Sequence, residues 1–155
     1  MKTVTPRTRD AVLQIAAWQI GVLESPAGSN RQKYGEAYGM NGQPWCMMFV
    51  WWVFHEAGFN LYKTASCTTM ANRYKAAGQW VTAGYKPGDI VMFDFSGQRS
   101  KTEHVGIVER VNADGSLVTI EGNTGTTNQA NGGAVMRRTR KMSLVTGACR
   151  PGYNT

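Results

Sequence analysis

Apolar positions recur with helical spacing in the first half of the chain and with strand spacing in the second. Between Thr5-Pro6 and Gly21, residues 7–20 place Val12, Ile15, Ala16, Gln19 and Ile20 on successive turns, which predicts a helix with that face inward. Residues 46–57 are apolar almost throughout and lie between Pro44, which suits the turn before a helix, and Gly58, which suits its end. They predict a buried helix, across whose surface Trp51 and Trp52 split, each expected in the core. A third helix is expected over 66–77, ended by Gly78. The pattern then changes period: strands are expected at 89–94, 104–111 and 116–121, with weaker ones at 134–139 and 143–149. Helices followed by antiparallel strands are an α+β order. With 155 residues and no linker, repeat or low-complexity segment, the expectation is one domain over 1–155.

The helix predicted at 46 begins with a cysteine, and this changes the picture. In the first turn of a helix, unpaired backbone N–H groups and the positive end of the dipole favour thiolate over thiol, which makes Cys46 a candidate nucleophile. The competing reading is a small buried hydrophobe. A possible base comes from the strand pair. The runs 104–111 and 116–121 are joined by Asn112-Ala113-Asp114-Gly115, a strong turn signal. Closing that hairpin with a two- or four-residue loop puts His104 on one sheet face with Glu121 and Asn123; an odd loop or a bulge spoils the count. A histidine with a polar partner beside it, near a cysteine at a helix start, is an arrangement for acyl transfer. Either Glu121 or Asn123 can accept the second ring N–H. His55 lies nine residues beyond Cys46 on the same helix, turned to the opposite face, and is read as a C-terminal residue interacting with the last carbonyls. Cys67 and Cys149 are expected to be buried spectators, since the three cysteines match no zinc spacing.

The runs Pro44-Trp45-Cys46 with Phe49-Val50-Trp51-Trp52, Lys86-Pro87-Gly88-Asp89-Ile90-Val91-Met92-Phe93, Glu103-His104-Val105-Gly106-Ile107-Val108 and Ile120-Glu121-Gly122-Asn123-Thr124 together resemble the CHAP amidohydrolase/peptidase domain, a member of the papain-like superfamily. The resemblance covers about residues 8–151. It implies a papain-like fold with N-terminal helices packed on a small antiparallel sheet. It implies Cys46 as nucleophile, His104 as base, Glu121 as the residue orienting the histidine, and Asn123 as a fourth polar member. The reaction it implies is hydrolysis of amide bonds in the peptide part of peptidoglycan, as in phage lysins and bacterial wall hydrolases. Two departures stand out. Many family members carry glutamine immediately before the cysteine, where this chain has Trp45, so Gln43 becomes the side-chain candidate for the oxyanion hole, against an ordinary turn role. Some relatives bind calcium ahead of the cysteine, but residues 29–41 here offer one carboxylate, Glu36, among amides and cations. No metal or other cofactor is expected, and activity should survive EDTA; loss on chelation with recovery on added calcium is the contrary result.

Seventeen Lys and Arg against ten Asp and Glu give a net charge of +7, partly concentrated at Arg137, Arg138, Arg140 and Lys141. Such charge suits anionic wall polymers through steering that weakens with salt, with plain solubility as the alternative. Nucleic acid is not expected, because no binding motif or phosphate-cradling loop accompanies the cluster. No run is long enough to span a bilayer, and the start Met1-Lys2-Thr3-Val4-Thr5-Pro6 has no signal-peptide core. The expectation is a monomer that reaches the wall from the host cytoplasm after release, or is carried on a virion. Three functions fit: a cysteine peptidoglycan hydrolase, either endopeptidase or N-acetylmuramoyl-L-alanine amidase; a non-catalytic wall-binding module of the same fold; and a cysteine amidase acting on a soluble γ-glutamyl or polyamine conjugate.

Overall fold

The apolar run after Pro44 forms the central element. It is α3 (Cys46–Glu56), and seven of its residues from Met47 to Phe54 are buried, so nearly its whole circumference faces protein. In this computed structural model, which describes residues 3–153, α1 (Arg9–Trp18) and α2 (Lys33–Tyr38) precede it and α4 (Cys67–Ala76) follows. The expected helix ends hold. Gly58 and Gly78 take left-handed φ values of 87° and 72°, and the residues after them return N–H groups to Phe54 and Tyr74. α2 is the helix that periodicity does not reveal. It has six residues, and its start is fixed by the Gln32 side chain, whose Oε1 accepts the Gly35 N–H at 2.8 Å.

Six strands follow: β1 (Trp80–Val81), β2 (Ile90–Phe93), β3 (His104–Val111), β4 (Leu117–Thr124), β5 (Ala134–Arg140) and β6 (Val145–Cys149). They form one antiparallel sheet in the order β1-β6-β2-β3-β4-β5, so the molecule is α+β. One face of the sheet, with Ile90, Met92, Val105, Ile107 and Ile120, packs into the main core with α1, α3 and α4. The other face carries a smaller cluster that includes Val91, Phe93, Val108, Leu117 and Val145. Helix and sheet approach closely at Gly122, where an added Cβ would lie 2.5 Å from Phe49 Cβ; only hydrogen fits there.

The β3–β4 connection differs from both loops considered for it. Leu117 pairs with Val111, so residues 112–116 form an odd-length loop, closed by the Asn112 N–H to Ser116 O at 2.8 Å. Asp114 Oδ1 accepts from the Ser116 N–H and hydroxyl, which stabilises this longer turn. By itself that loop would put His104 and Glu121 on opposite faces. A bulge at Glu109, between Val108 and Arg110, adds the compensating residue, and beyond it Ile107 faces Ile120. Two irregularities thus cancel, and the expected face is restored.

Candidate active site

Thr8, Gln32 and Ser66 each accept a backbone N–H at the start of α1, α2 and α4, whereas Trp45 before α3 makes no such bond. Trp45 is instead buried, and its indole N–H donates to Glu24 Oε1 at 3.1 Å. Forgoing a side-chain cap costs about 1 kcal/mol and leaves the first-turn N–H groups free for another anion. Cys46, half-buried, is the first residue of that turn.

His104 is the first residue of β3 and is fully buried. Its Nε2 lies 2.9 Å from Glu121 Oε1, which realises the sheet-face expectation. Because the carboxylate accepts, Nε2 carries the proton. Nδ1 is then the nitrogen left for the thiol, and it is buried without a hydrogen-bond partner among the described residues. Cys46 and His104 shift each other's protonation. The Cys67 thiol is the largest influence pulling the Cys46 pKa below its usual range; burial opposes it, and His104 and the Met47 N–H reinforce it. Burial alone would depress the His104 pKa, but the nearby Cys46 sulfur and the hydrogen-bonded Glu121 carboxylate raise it to about 9. Both shifts act in the direction of a thiolate–imidazolium pair.

Glu121 is also fully buried and accepts four hydrogen bonds. Thr119 Oγ1 donates to Oε2 at 2.6 Å, and Arg140 grips the carboxylate with Nε at 2.9 Å and Nη2 at 2.7 Å. Burial would raise its pKa, but Arg140 and then His104 hold it at about 2. Gly106 makes room for this group, since a Cβ there would lie 2.7 Å from Glu121 Cγ.

Arg140 has to be removed from the charge that Arg137, Arg138, Arg140 and Lys141 were expected to offer to anionic polymers, because it is buried. It is 2% exposed, its guanidinium lies 5.5 Å and 4.9 Å from the ring centres of Phe93 and Phe95, and it serves the Glu121 carboxylate. Arg137 is paired as well, with Glu109 at 2.6 Å. A buried carboxylate requires a cation, but that Arg138 and Arg140 share the sheet face of Glu121 follows only from the β4–β5 register. Arg140→Leu should cost about 3–5 kcal/mol, the range for stranding one buried charge. Chemical denaturation measures this, and a loss below about 1 kcal/mol, the level of a surface pair, would contradict the assignment.

Asn123 lies elsewhere in the network. Its backbone takes a left-handed φ of 54° at the end of the β4–β5 ladder. Its Oδ1 accepts the Gly133 N–H at 3.0 Å, and its Nδ2 donates to Asn131 at 2.9 Å. These bonds shape the loop between β4 and β5, and among the described residues Asn123 makes no hydrogen bond with His104. Gln43 is exposed in the loop before α3. His55 stacks on the Trp51 ring, centroids 5.1 Å apart, on the exposed side of α3; this replaces the reading of it as a carbonyl cap. Trp51 is buried and Trp52 half-buried.

Cys67 and Cys149 are buried, but Cys67 is not remote. It is the first residue of α4, and its sulfur lies 4.0 Å from that of Cys46. Cys149 points to Met70 O at 3.8 Å. In the stretch ahead of Cys46, two amide oxygens are engaged with backbone: Asn41 Oδ1 accepts from the Gln32 and Gly42 N–H groups, and Gln32 Oε1 caps α2.

Comparison with known proteins agrees with this architecture. The chain is similar in fold to the crystal structure of the wild-type endolysin LysIME-EF1, with a TM-score of 0.61 and 17% identity over 95% of this chain and 65% of that one. It is also similar to the crystal structure of Ly7917, with a TM-score of 0.55 and 18% identity over 93% of this chain and 62% of that one. The chain thus spans less than two thirds of either protein's length. Comparison with curated proteins gives no match. Residues 38–123, more than half of the chain, match the profile of the CHAP domain, and this segment contains Cys46, His104, Glu121 and Asn123. The sequence therefore belongs to the CHAP domain family.

Proposed function

We propose that this protein is a cysteine peptidoglycan hydrolase that cleaves amide bonds of the wall peptide, either as an endopeptidase or as an N-acetylmuramoyl-L-alanine amidase. The observation that carries the reading is the buried line from Arg140 through Glu121 to His104, ending beside a cysteine in an uncapped helix start. The Cys46 thiolate attacks the scissile carbonyl, and the tetrahedral oxyanion is held by first-turn N–H groups, with Gln43 as the side-chain candidate. His104 Nδ1–H protonates the leaving amine as the C–N bond breaks, which leaves a thioester. The neutral imidazole then takes a proton from water, hydroxide attacks the thioester, and the acid departs as the thiolate re-forms. Asn123 supports the site by holding the β4–β5 loop.

Membership of the CHAP family and fold similarity to an endolysin support the choice of wall peptide as substrate. The net charge of +7 suits approach to anionic wall polymers. Among the described residues no helix is long and apolar enough to cross a membrane. Action as a phage lysin, released from the host cytoplasm or carried on the virion, completes the proposal. The test is release of amino groups from purified sacculi, with mass spectrometry of the fragments to identify the bond. Binding to sacculi without turnover, unchanged by loss of Cys46, would favour a wall-binding module. Turnover of soluble γ-glutamyl or polyamine conjugates alone would favour the third class of function.

A further inference from the structure

Two thiols meet at the reactive centre, each on the first residue of a helix. Cys46 begins α3 and Cys67 begins α4, and their sulfurs are 4.0 Å apart. We propose that Cys67 is a positioning residue for the Cys46 thiolate, donating its S–H to that sulfur, and that under peroxide it becomes the resolving thiol of a reversible Cys46–Cys67 disulfide. The inference rests on Cys46 being the nucleophile, but its readouts do not require turnover.

The donor role follows from the charges around the pair. The titratable groups acting on Cys46 are Cys67 on α4 and His104 on β3, and Cys149 on β6 acts in turn on Cys67. Cys46 faces the imidazolium, so it is the sulfur that ionises. The Cys67 pKa is raised, first by its bond to Cys46 and then by burial and the neighbouring thiolate charge, so it keeps its proton and donates. A hydrogen bond to a charged group is worth more than one between neutral groups, and here it also fixes the direction of the sulfur.

The same placement permits oxidation. The Cys46 thiolate attacks one oxygen of hydrogen peroxide; an S–O bond forms, the O–O bond breaks, and the departing hydroxide takes a proton to become water. Cys46 is then a sulfenic acid, oxidised by two electrons, and the peroxide is reduced. With the thiolate charge gone, the like-charge cost of ionising Cys67 is removed. Its sulfur attacks the sulfenic sulfur, the S–S bond forms, and the S–O bond breaks. The hydroxide leaves as water with the Cys67 proton. The sulfurs, 4.0 Å apart, need to approach by about 2 Å to reach bonding distance. The disulfide blocks attack on substrate and stops Cys46 from passing to the irreversible sulfinic and sulfonic acids.

The experiment compares wild type, Cys67→Ser and Cys67→Ala. Iodoacetamide alkylation of Cys46 as a function of pH reads the donor role. Cys67→Ala should move the profile to higher pH and slow alkylation at neutral pH about tenfold, while Cys67→Ser, which keeps a donor, should return most of the shift. Peroxide followed by peptide mapping reads the second role. Wild type should give a Cys46–Cys67 linked peptide, with free Cys46 recovered by dithiothreitol, whereas both variants should accumulate Cys46 sulfinic and sulfonic acids that dithiothreitol does not reverse. Identical alkylation profiles in all three proteins would overturn the donor role. A wild type that overoxidises as the variants do would overturn the resolving role. Failure of sacculus hydrolysis with both results intact would instead count against the proposed function.

Discussion

Cys46→Ala and Cys46→Ser are both expected to fold and to lose sacculus hydrolysis by at least about 10⁴-fold, since removing the nucleophile leaves only binding and oxyanion stabilisation. Folding should be preserved because Cys46 is half-buried at a helix start and each replacement is small. The serine variant is the sharper test: its hydroxyl matches the thiol in shape but stays protonated, so a site built to hold a thiolate gains no nucleophile. His104→Ala should cause a comparable loss, with Glu121 and Arg140 still paired. His55→Ala should retain most activity, because His55 stacks on Trp51 at the exposed side of α3. Release of amino groups, read beside thermal unfolding of each variant, decides the matter. Near-wild-type hydrolysis by either Cys46 variant would remove the residue from the mechanism.

The start of α3 was legible because several local signals agree. Pro44 blocks an earlier start, the apolar run demands burial, and Gly58 supplies the left-handed residue that ends the helix. The partnership of His104 with Glu121 was legible for a less secure reason. The parity count assumed an even loop without a bulge, and the protein has an odd loop and a bulge at Glu109. Each alone would have reversed the face. The outcome follows from burial, which selects the register that places Val105, Ile107 and Ile120 against the helices.

Arg140 and Cys67 were not legible as members of the site because their roles arise from long-range packing. In sequence, Arg140 sits among Arg137, Arg138 and Lys141 and resembles a solvated strand edge. Only the β4–β5 pairing, with Glu121 opposite Met136 and Leu117 opposite Arg140, brings its guanidinium to the carboxylate. Cys67 depends on how the loop after Gly58 returns α4 to the start of α3, and no periodicity in residues 59–66 encodes that return. Asn123 was placed on the correct strand, but its left-handed backbone at the end of the ladder turns its hydrogen bonds toward Gly133 and Asn131.

Glu121→Gln should lower turnover by about 10²-fold or more and narrow the pH–rate profile from both sides. In the wild type, the active thiolate–imidazolium pair persists from the depressed Cys46 pKa up to the His104 pKa of about 9. Replacing the carboxylate with an amide keeps a ring acceptor but removes the negative charge that stabilises imidazolium, so the His104 pKa falls and the alkaline limb moves to lower pH. A less populated imidazolium stabilises the thiolate less, so the Cys46 pKa rises and the acidic limb moves to higher pH. Arg140 reinforces both changes, because its guanidinium, 2.7 Å from Glu121 Oε1 in the wild type, is left without its counter-charge. Asn123→Ala provides the contrast. It removes the bonds that hold Gly133 and Asn131, so it should reduce activity less and leave both limbs in place. Measuring kcat/KM against pH for the two variants reads the limbs of the free enzyme directly. If Asn123→Ala moves the limbs and Glu121→Gln does not, the asparagine rather than the carboxylate governs the charge on His104.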